Sequence, residues 1–91
     1  MSIRVRVPTP LRKLTGEKGE IEAKGVDISE LIEDIEKRYP GLKDRIYDDT
    51  GEIRRFINIY VNEEDIRFID GKKTKVADGD EVSIIPAIAG G

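Results

Sequence analysis

Cysteine, histidine and tryptophan are all absent from the 91 residues. Without the first two the chain has no disulfides, none of the usual zinc ligands, no Cys or His nucleophile and no side chain suited to moving protons near neutral pH. Asp, Glu, Lys and Tyr remain, so catalysis by the chain itself is hard to place. A basic excess is missing too: the net charge is −3 and the pI near 5.0, so nucleic acid and anionic membranes are poor partners. No apolar run approaches the ~20 residues of a membrane span, and Met1-Ser2-Ile3-Arg4 lacks the basic-then-apolar order of a secretion signal. The expected location is the cytoplasm.

The apolar residues that are present fall in periodic blocks, and the length suits one compact domain with a solvated surface. Ile3, Val5 and Val7 alternate with Arg4 and Arg6, a strand pattern that Pro8 and Pro10 interrupt. Leu11 to Gly16 is too short to be read as a helix. Glu20-Ile21-Glu22-Ala23 alternates again and predicts a second strand ending near Gly25. Val26, Ile28, Leu31, Ile32, Ile35 and Tyr39 keep helical spacing, with Asp27 as N-cap, Glu30 three residues on and Pro40-Gly41 as the stop. Glu33 with Lys37 and Asp34 with Arg38 would pair along the outer face at i, i+4.

Leu42 to Arg55 is polar and reads as a short helical turn over Leu42 to Ile46 followed by a mobile loop. Phe56 to Val61 predicts the third strand, with Ile57, Ile59 and Val61 toward the core and Phe56, Asn58 and Tyr60 away from it. Asn62 to Asp65 reads as a turn, Ile66-Arg67-Phe68 as a short edge strand, and Asp70-Gly71 and Asp78-Gly79 as further turns. Val82-Ser83-Ile84-Ile85 before Pro86 is a nearly continuous apolar strand. The order β-β-α-β-(β)-β describes an α+β roll, a mixed sheet of four or five strands with one main helix. Its expected extent is 1–86, with 87–91 as a flexible tail.

Four features invite a chemical reading. Carboxylates crowd Asn62-Glu63-Glu64-Asp65 and Asp78-Gly79-Asp80-Glu81, but neither run has the EF-hand spacing, and turns account for both. Arg4, Arg6, Arg54 and Arg55 offer positive charge to an acidic partner, although solvated sheet arginines are the plainer reading. Phe56 and Tyr60, with Ile85 if the last strand lies alongside, would make an outward apolar patch for partner docking. Finally, the chain ends Ala87-Ile88-Ala89-Gly90-Gly91. With Gly at about 7% of residues, two terminal glycines arise by chance about 0.5% of the time. Glycines let an extended tail enter a narrow channel and deliver its carboxylate to a buried reactive group. The plain alternative is a frayed end or a remnant of cloning.

Residues 56–62 together with Asp78-Gly79-Asp80-Glu81-Val82-Ser83-Ile84-Ile85-Pro86-Ala87-Ile88-Ala89-Gly90-Gly91 resemble the MoaD/ThiS family of ubiquitin-like sulfur carriers. D-G-D-x-V, a short apolar strand, a proline and a small-residue tail ending in Gly-Gly form its most specific element. Arg55 to Phe68 and the ending Pro86-Ala87, where many molybdopterin-type members have Pro-Pro, are most similar to the CysO-type branch, which feeds cysteine synthesis. The resemblance implies a β-grasp (ubiquitin-like) fold and a carrier that is not itself an enzyme. Gly91 would be the reactive residue, and Pro86, Ala87, Ile88, Ala89 and Gly90 would present it to partners. An E1-like (MoeB/ThiF-type) enzyme would adenylate the Gly91 carboxylate with ATP, and a sulfur donor would turn it into a thiocarboxylate. The acceptor would be an aminoacrylate on a cysteine synthase dependent on pyridoxal phosphate, with a metalloprotease later freeing the cysteine. The alternatives are the large subunit of molybdopterin synthase as acceptor, or a ubiquitin-like modifier joined to lysine. The chain itself would bind no cofactor and no metal.

Overall fold

The computed structural model describes residues 2–86, so the tail expected at 87–91 lies outside the described residues. Seven regular elements follow one another: β1 (Ile3–Arg6), β2 (Glu20–Ala23), α1 (Ile28–Arg38), α2 (Leu42–Ile46), β3 (Ile57–Val61), β4 (Glu64–Asp65) and β5 (Glu81–Pro86). The five strands form one sheet in the order β2-β1-β5-β3-β4. β1 and β5 are parallel, whereas β1–β2, β3–β5 and β3–β4 are antiparallel.

Period-two alternation decides which face of β1 is buried: Ile3 and Val5 are in the core while Arg4 and Arg6 stand in solvent. β5 runs between β1 and β3, which is why Val82 and Ile84 are both buried and the segment is so apolar. α1 lays Ile28, Leu31, Ile32 and Ile35 on the same core, each burial stabilising by roughly 1.5–3 kcal/mol. Its start follows the expected signature: an Asp27 carboxylate oxygen accepts from the Glu30 amide at 2.9 Å. The Glu30 side chain reaches back to the Val26 amide at 3.3 Å, one residue earlier than in a standard capping box. Gly25 is needed where β2 turns into α1, because a Cβ there would lie 2.7 Å from the Leu31 nitrogen.

Several expectations require correction. Val26 precedes the N-cap and is 55% exposed, so it is not part of the buried helical stripe. Asp34 pairs with Arg38 at 2.9 Å as expected, but Glu33 pairs with Lys43 of α2 instead of Lys37. Leu11 to Gly16, too short to be read as a helix, belongs largely to a 3-10 helix over Thr9–Thr15 whose early Pro10 needs no amide partner and whose end is turned by Gly16 at φ 65°. It is anchored by Thr15, fully buried, whose hydroxyl lies 3.1 and 2.9 Å from the Arg12 and Lys18 carbonyls.

The edge strand expected at Ile66–Phe68 is instead a 3-10 turn, and the strand is Glu64–Asp65. A strand would point Ile66 and Phe68 the same way, yet Ile66 is buried and Phe68 is 86% exposed. The Asp65 carboxylate caps this turn by accepting from the Arg67 amide at 2.9 Å. Within the loop after α2 the Asp48 carboxylate accepts from the Thr50 amide and hydroxyl and from the Glu52 amide. The Arg54 guanidinium returns to the Asp44 carbonyl at 2.9 and 3.2 Å. No helix among the described residues is long and apolar enough to cross a membrane.

Candidate functional site

The strand that precedes the tail, β5, is the central strand of the sheet. β5 pairs with β1 only through Ser83, opposite Arg6, while on its other side the register with β3 continues to Pro86, opposite Ile57. Beyond Ser83 the strand therefore has one neighbour. Pro86, the last of the described residues, carries no N–H to donate to the ladder. The route of residues 87–91 starts at this point, and Gly91, Gly90, Ala89, Ile88 and Ala87 themselves lie outside the described residues.

The other end of β5 is fixed by the D-G-D motif, for which the sequence suggested only a turn. Gly79 takes φ 91°, a conformation costly for residues with a Cβ. Both Asp80 carboxylate oxygens are used: one accepts from the Ala77 amide at 2.8 Å, the other from the Asn62 side-chain amide at 3.0 Å. Asn62 in turn accepts from the Glu81 amide at 3.0 Å through its side-chain oxygen and donates its own amide to the Glu81 carbonyl at 2.8 Å. Asp78 accepts from the Ser2 amide at 2.6 Å. These carboxylates act as turn locks that set where β5 begins, and hence where it ends. Among the described residues no cluster of three or more Asp or Glu side chains is arranged to hold a metal.

Of the proposed docking residues, Phe56 is 48% exposed and Ile85 45%. Asn58 sits opposite Ile85, and Tyr60 opposite Ser83. Phe56 lies one residue before β3 and not within it, as β3 starts at Ile57; it lines a cleft with Ile57 and Pro86 at the tail's root. Tyr60 is partly buried and four residues further along, roughly 13 Å at strand rise. Phe56 and Ile85 thus flank Pro86, with Tyr60 extending the same sheet toward β4.

Two clefts open beside Pro86. The one on the β1 side, about 300 Å³, is lined by Arg6, Val7, Pro8, Arg12 and Ser83 to Pro86. The one on the β3 side, about 480 Å³, is lined by Arg45, Asp48, Arg54, Arg55, Phe56, Ile57 and Pro86. Arg6, Arg54 and Arg55 were legible as charges on the strands. Arg12 and Arg45 were not, because only the folding of the 3-10 helix and α2 brings them to the tail. Arg4 is elsewhere, opposite Glu81 at the start of β5 and 3.8 Å from Glu20.

Among the described residues, the two clefts and the one-sided end of β5 surround Pro86, from which residues 87–91 continue. The sequence pattern described as the ThiS family matches residues 5–91. Sulfur carrier protein CysO of Mycobacterium tuberculosis (strain H37Rv) is 45% identical over 93 residues, spanning all of both chains. The molybdopterin synthase sulfur carrier subunit of the same organism is 33% identical over 67 residues, 74% of this chain and 66% of that one. Among solved structures, a chain of the Amycolatopsis orientalis BexX/CysO complex superposes with a TM-score of 0.92 at 46% identity, covering 98% of this chain and 99% of that one. The fold is therefore the β-grasp of the sulfur carriers.

Proposed function

Since the chain belongs to the ThiS family, we propose that it is a sulfur carrier for cysteine biosynthesis that works as the substrate of partner enzymes and catalyses nothing itself. A free carboxylate is a poor acyl donor, so it must be activated. An E1-like enzyme of the MoeB/ThiF type transfers AMP from ATP to the Gly91 carboxylate, releasing pyrophosphate. A sulfur donor then displaces AMP, leaving a thiocarboxylate at Gly91. Its sulfur adds to the β-carbon of an aminoacrylate held on a pyridoxal-phosphate cysteine synthase. An S-to-N acyl shift moves the glycyl group to the new amine, and a metalloprotease releases cysteine. ATP and pyridoxal phosphate belong to these partners.

The observation that carries this reading is the 45% identity to CysO along the whole of both chains. The molybdopterin-type relative matches over a shorter stretch at lower identity. Pro86-Ala87, where many of that type have Pro-Pro, agrees with this order. Ile85, Phe56 and Tyr60 form the docking patch, and Pro86 to Gly90 present Gly91.

The test supplies thiocarboxylated protein in parallel to a cysteine synthase with O-phosphoserine and to a molybdopterin precursor with its synthase large subunit. The expected product is a protein extended by one cysteine at Gly91 in the first reaction only. Dithiolene formation in the second, with no cysteine adduct in the first, would assign the chain to molybdenum cofactor synthesis.

A further inference from the structure

We propose that the arginines around Pro86 form a collar that seats the carrier on a partner whose tail-receiving mouth is rimmed with carboxylates. This rests on the carrier reading and adds the chemistry of the receiving surface.

The two clefts beside Pro86 bring together Arg6, Arg12, Arg45, Arg54 and Arg55 against a single acid, Asp48. The chain as a whole carries net −3, so positive charge is concentrated where the tail leaves a protein that is otherwise strongly acidic. Asp48, hydrogen-bonded by Thr50 and Glu52, offsets one of these five charges and leaves the group net positive. Arg45 and Arg55 make no ion pair or hydrogen bond among the described residues, and the Glu81 carboxylate is 3.9 Å from Arg6. Arg12 and Arg54 donate to the carbonyls of Val7 and Asp44, which orients them without cancelling charge. Five cations elsewhere are paired: Arg4 with Glu20, Arg38 with Asp34, Lys43 with Glu33, Arg67 with Asp65 and Lys72 with Glu52.

The cations are also of one kind. Lysine and arginine are equally common in the chain, but no lysine lines either cleft. Arginine's planar fork suits carboxylates at protein interfaces, where lysine is depleted. The clefts lie on the two flanks of β5, one toward β1 and one toward β3. A small anion would occupy one cleft, whereas a rim of acids around a channel mouth meets both while the tail enters between them. Such complementarity acts mainly on the encounter rate and is screened by salt.

The experiment measures, by stopped flow, the association of the full-length chain with a purified ThiF/MoeB-type adenylating enzyme over a range of salt concentrations. Arg45→Glu/Arg55→Glu should associate about tenfold or more slowly than wild type at low ionic strength, the two converging as salt rises. Lys73→Glu/Lys75→Glu, an equal charge change at neither cleft, should stay within about twofold. The neutral pair Arg45→Gln/Arg55→Gln guards against misfolding: it should melt like wild type and show a flatter salt dependence. Collar variants that associate at the wild-type rate, or no more slowly than the lysine variant, overturn the collar while leaving the carrier intact. A wild-type chain that the enzyme neither binds nor adenylates overturns both.

Discussion

Asn62 and Asp80 clasp the β3–β4 turn to the start of β5: the Asn62 side-chain amide donates to the Asp80 carboxylate at 3.0 Å across 18 residues of sequence. Because Asn62 also meets both backbone groups of Glu81, the pair fixes the register of the strand that carries the tail. Asp80→Ala removes the acceptor of both the Ala77 amide and the Asn62 side-chain amide, and should cost about 1–3 kcal/mol in urea unfolding. Asn62→Ala on that background should cost less than it does alone, which a double-mutant cycle will read. Additive losses would mean that the clasp is not a unit.

Asn62 and Glu63 both have positive φ, 50° and 75°, in a two-residue connection between β3 and β4, the geometry of a type I′ turn. Glu63 is the wrong residue for it, since a side chain in that conformation costs roughly 1–2 kcal/mol. Glu63→Gly should therefore stabilise the protein by up to about 1 kcal/mol after the added chain entropy of glycine. A fall in melting temperature would contradict the turn assignment.

Phe56 stands 48% exposed beside Pro86, so its removal should trouble partners more than the fold. Phe56→Ser/Tyr60→Ser should weaken binding to the adenylating enzyme by about 1–2 kcal/mol, near tenfold, with little change in thermal stability. Global unfolding would place these rings in the core instead.

Asp48 and Asp65 both titrate below the ordinary aspartate value of 3.8, Asp48 through the Thr50 hydroxyl and Asp65 through Arg67. A depressed folded pKa contributes stability that is present above the unfolded value and lost as pH falls through the folded one. Unfolding free energy should thus decline below about pH 4, and less steeply in Asp48→Asn. Carboxyl NMR should show the Asp65 midpoint moving back toward 3.8 in Arg67→Ala or at about 0.5 M salt, while Asp48, held mainly by neutral donors and least by Arg54, moves less. Equal salt shifts at both sites would refute the distinction.

The helix was legible because its cap, stripe and stop agree: Asp27, then Ile28, Leu31, Ile32 and Ile35, then Pro40-Gly41. The strands β1, β2 and β3 were legible from alternation and β5 from its apolar run, to within a residue at Phe56, whereas β4 was read as a turn. Most of what escaped reading depended on contacts distant in sequence, with one local exception. Ile66–Phe68 carries strand-forming residues, yet a local carboxylate cap at Asp65 bends it into a 3-10 turn. Arg12 and Arg45 look like ordinary surface charges until the fold sets them beside Pro86. The turn residues of Asp78 to Asp80 were readable as a turn, but their clasp on Asn62 was not, since nothing local announces a partner 18 residues away.

The most direct measurement is the intact mass of the full-length chain after incubation with ATP, a ThiF/MoeB-type enzyme and a sulfur donor. Wild type should exchange one oxygen for one sulfur, located by fragmentation to Gly91. Deleting Gly91, or adding one residue beyond it, should abolish the exchange and leave the circular dichroism of the fold unchanged. An unaltered mass for wild type, with an enzyme that thiocarboxylates another carrier in the same assay, would contradict the sulfur-carrier role, as would equal sulfur gain without Gly91.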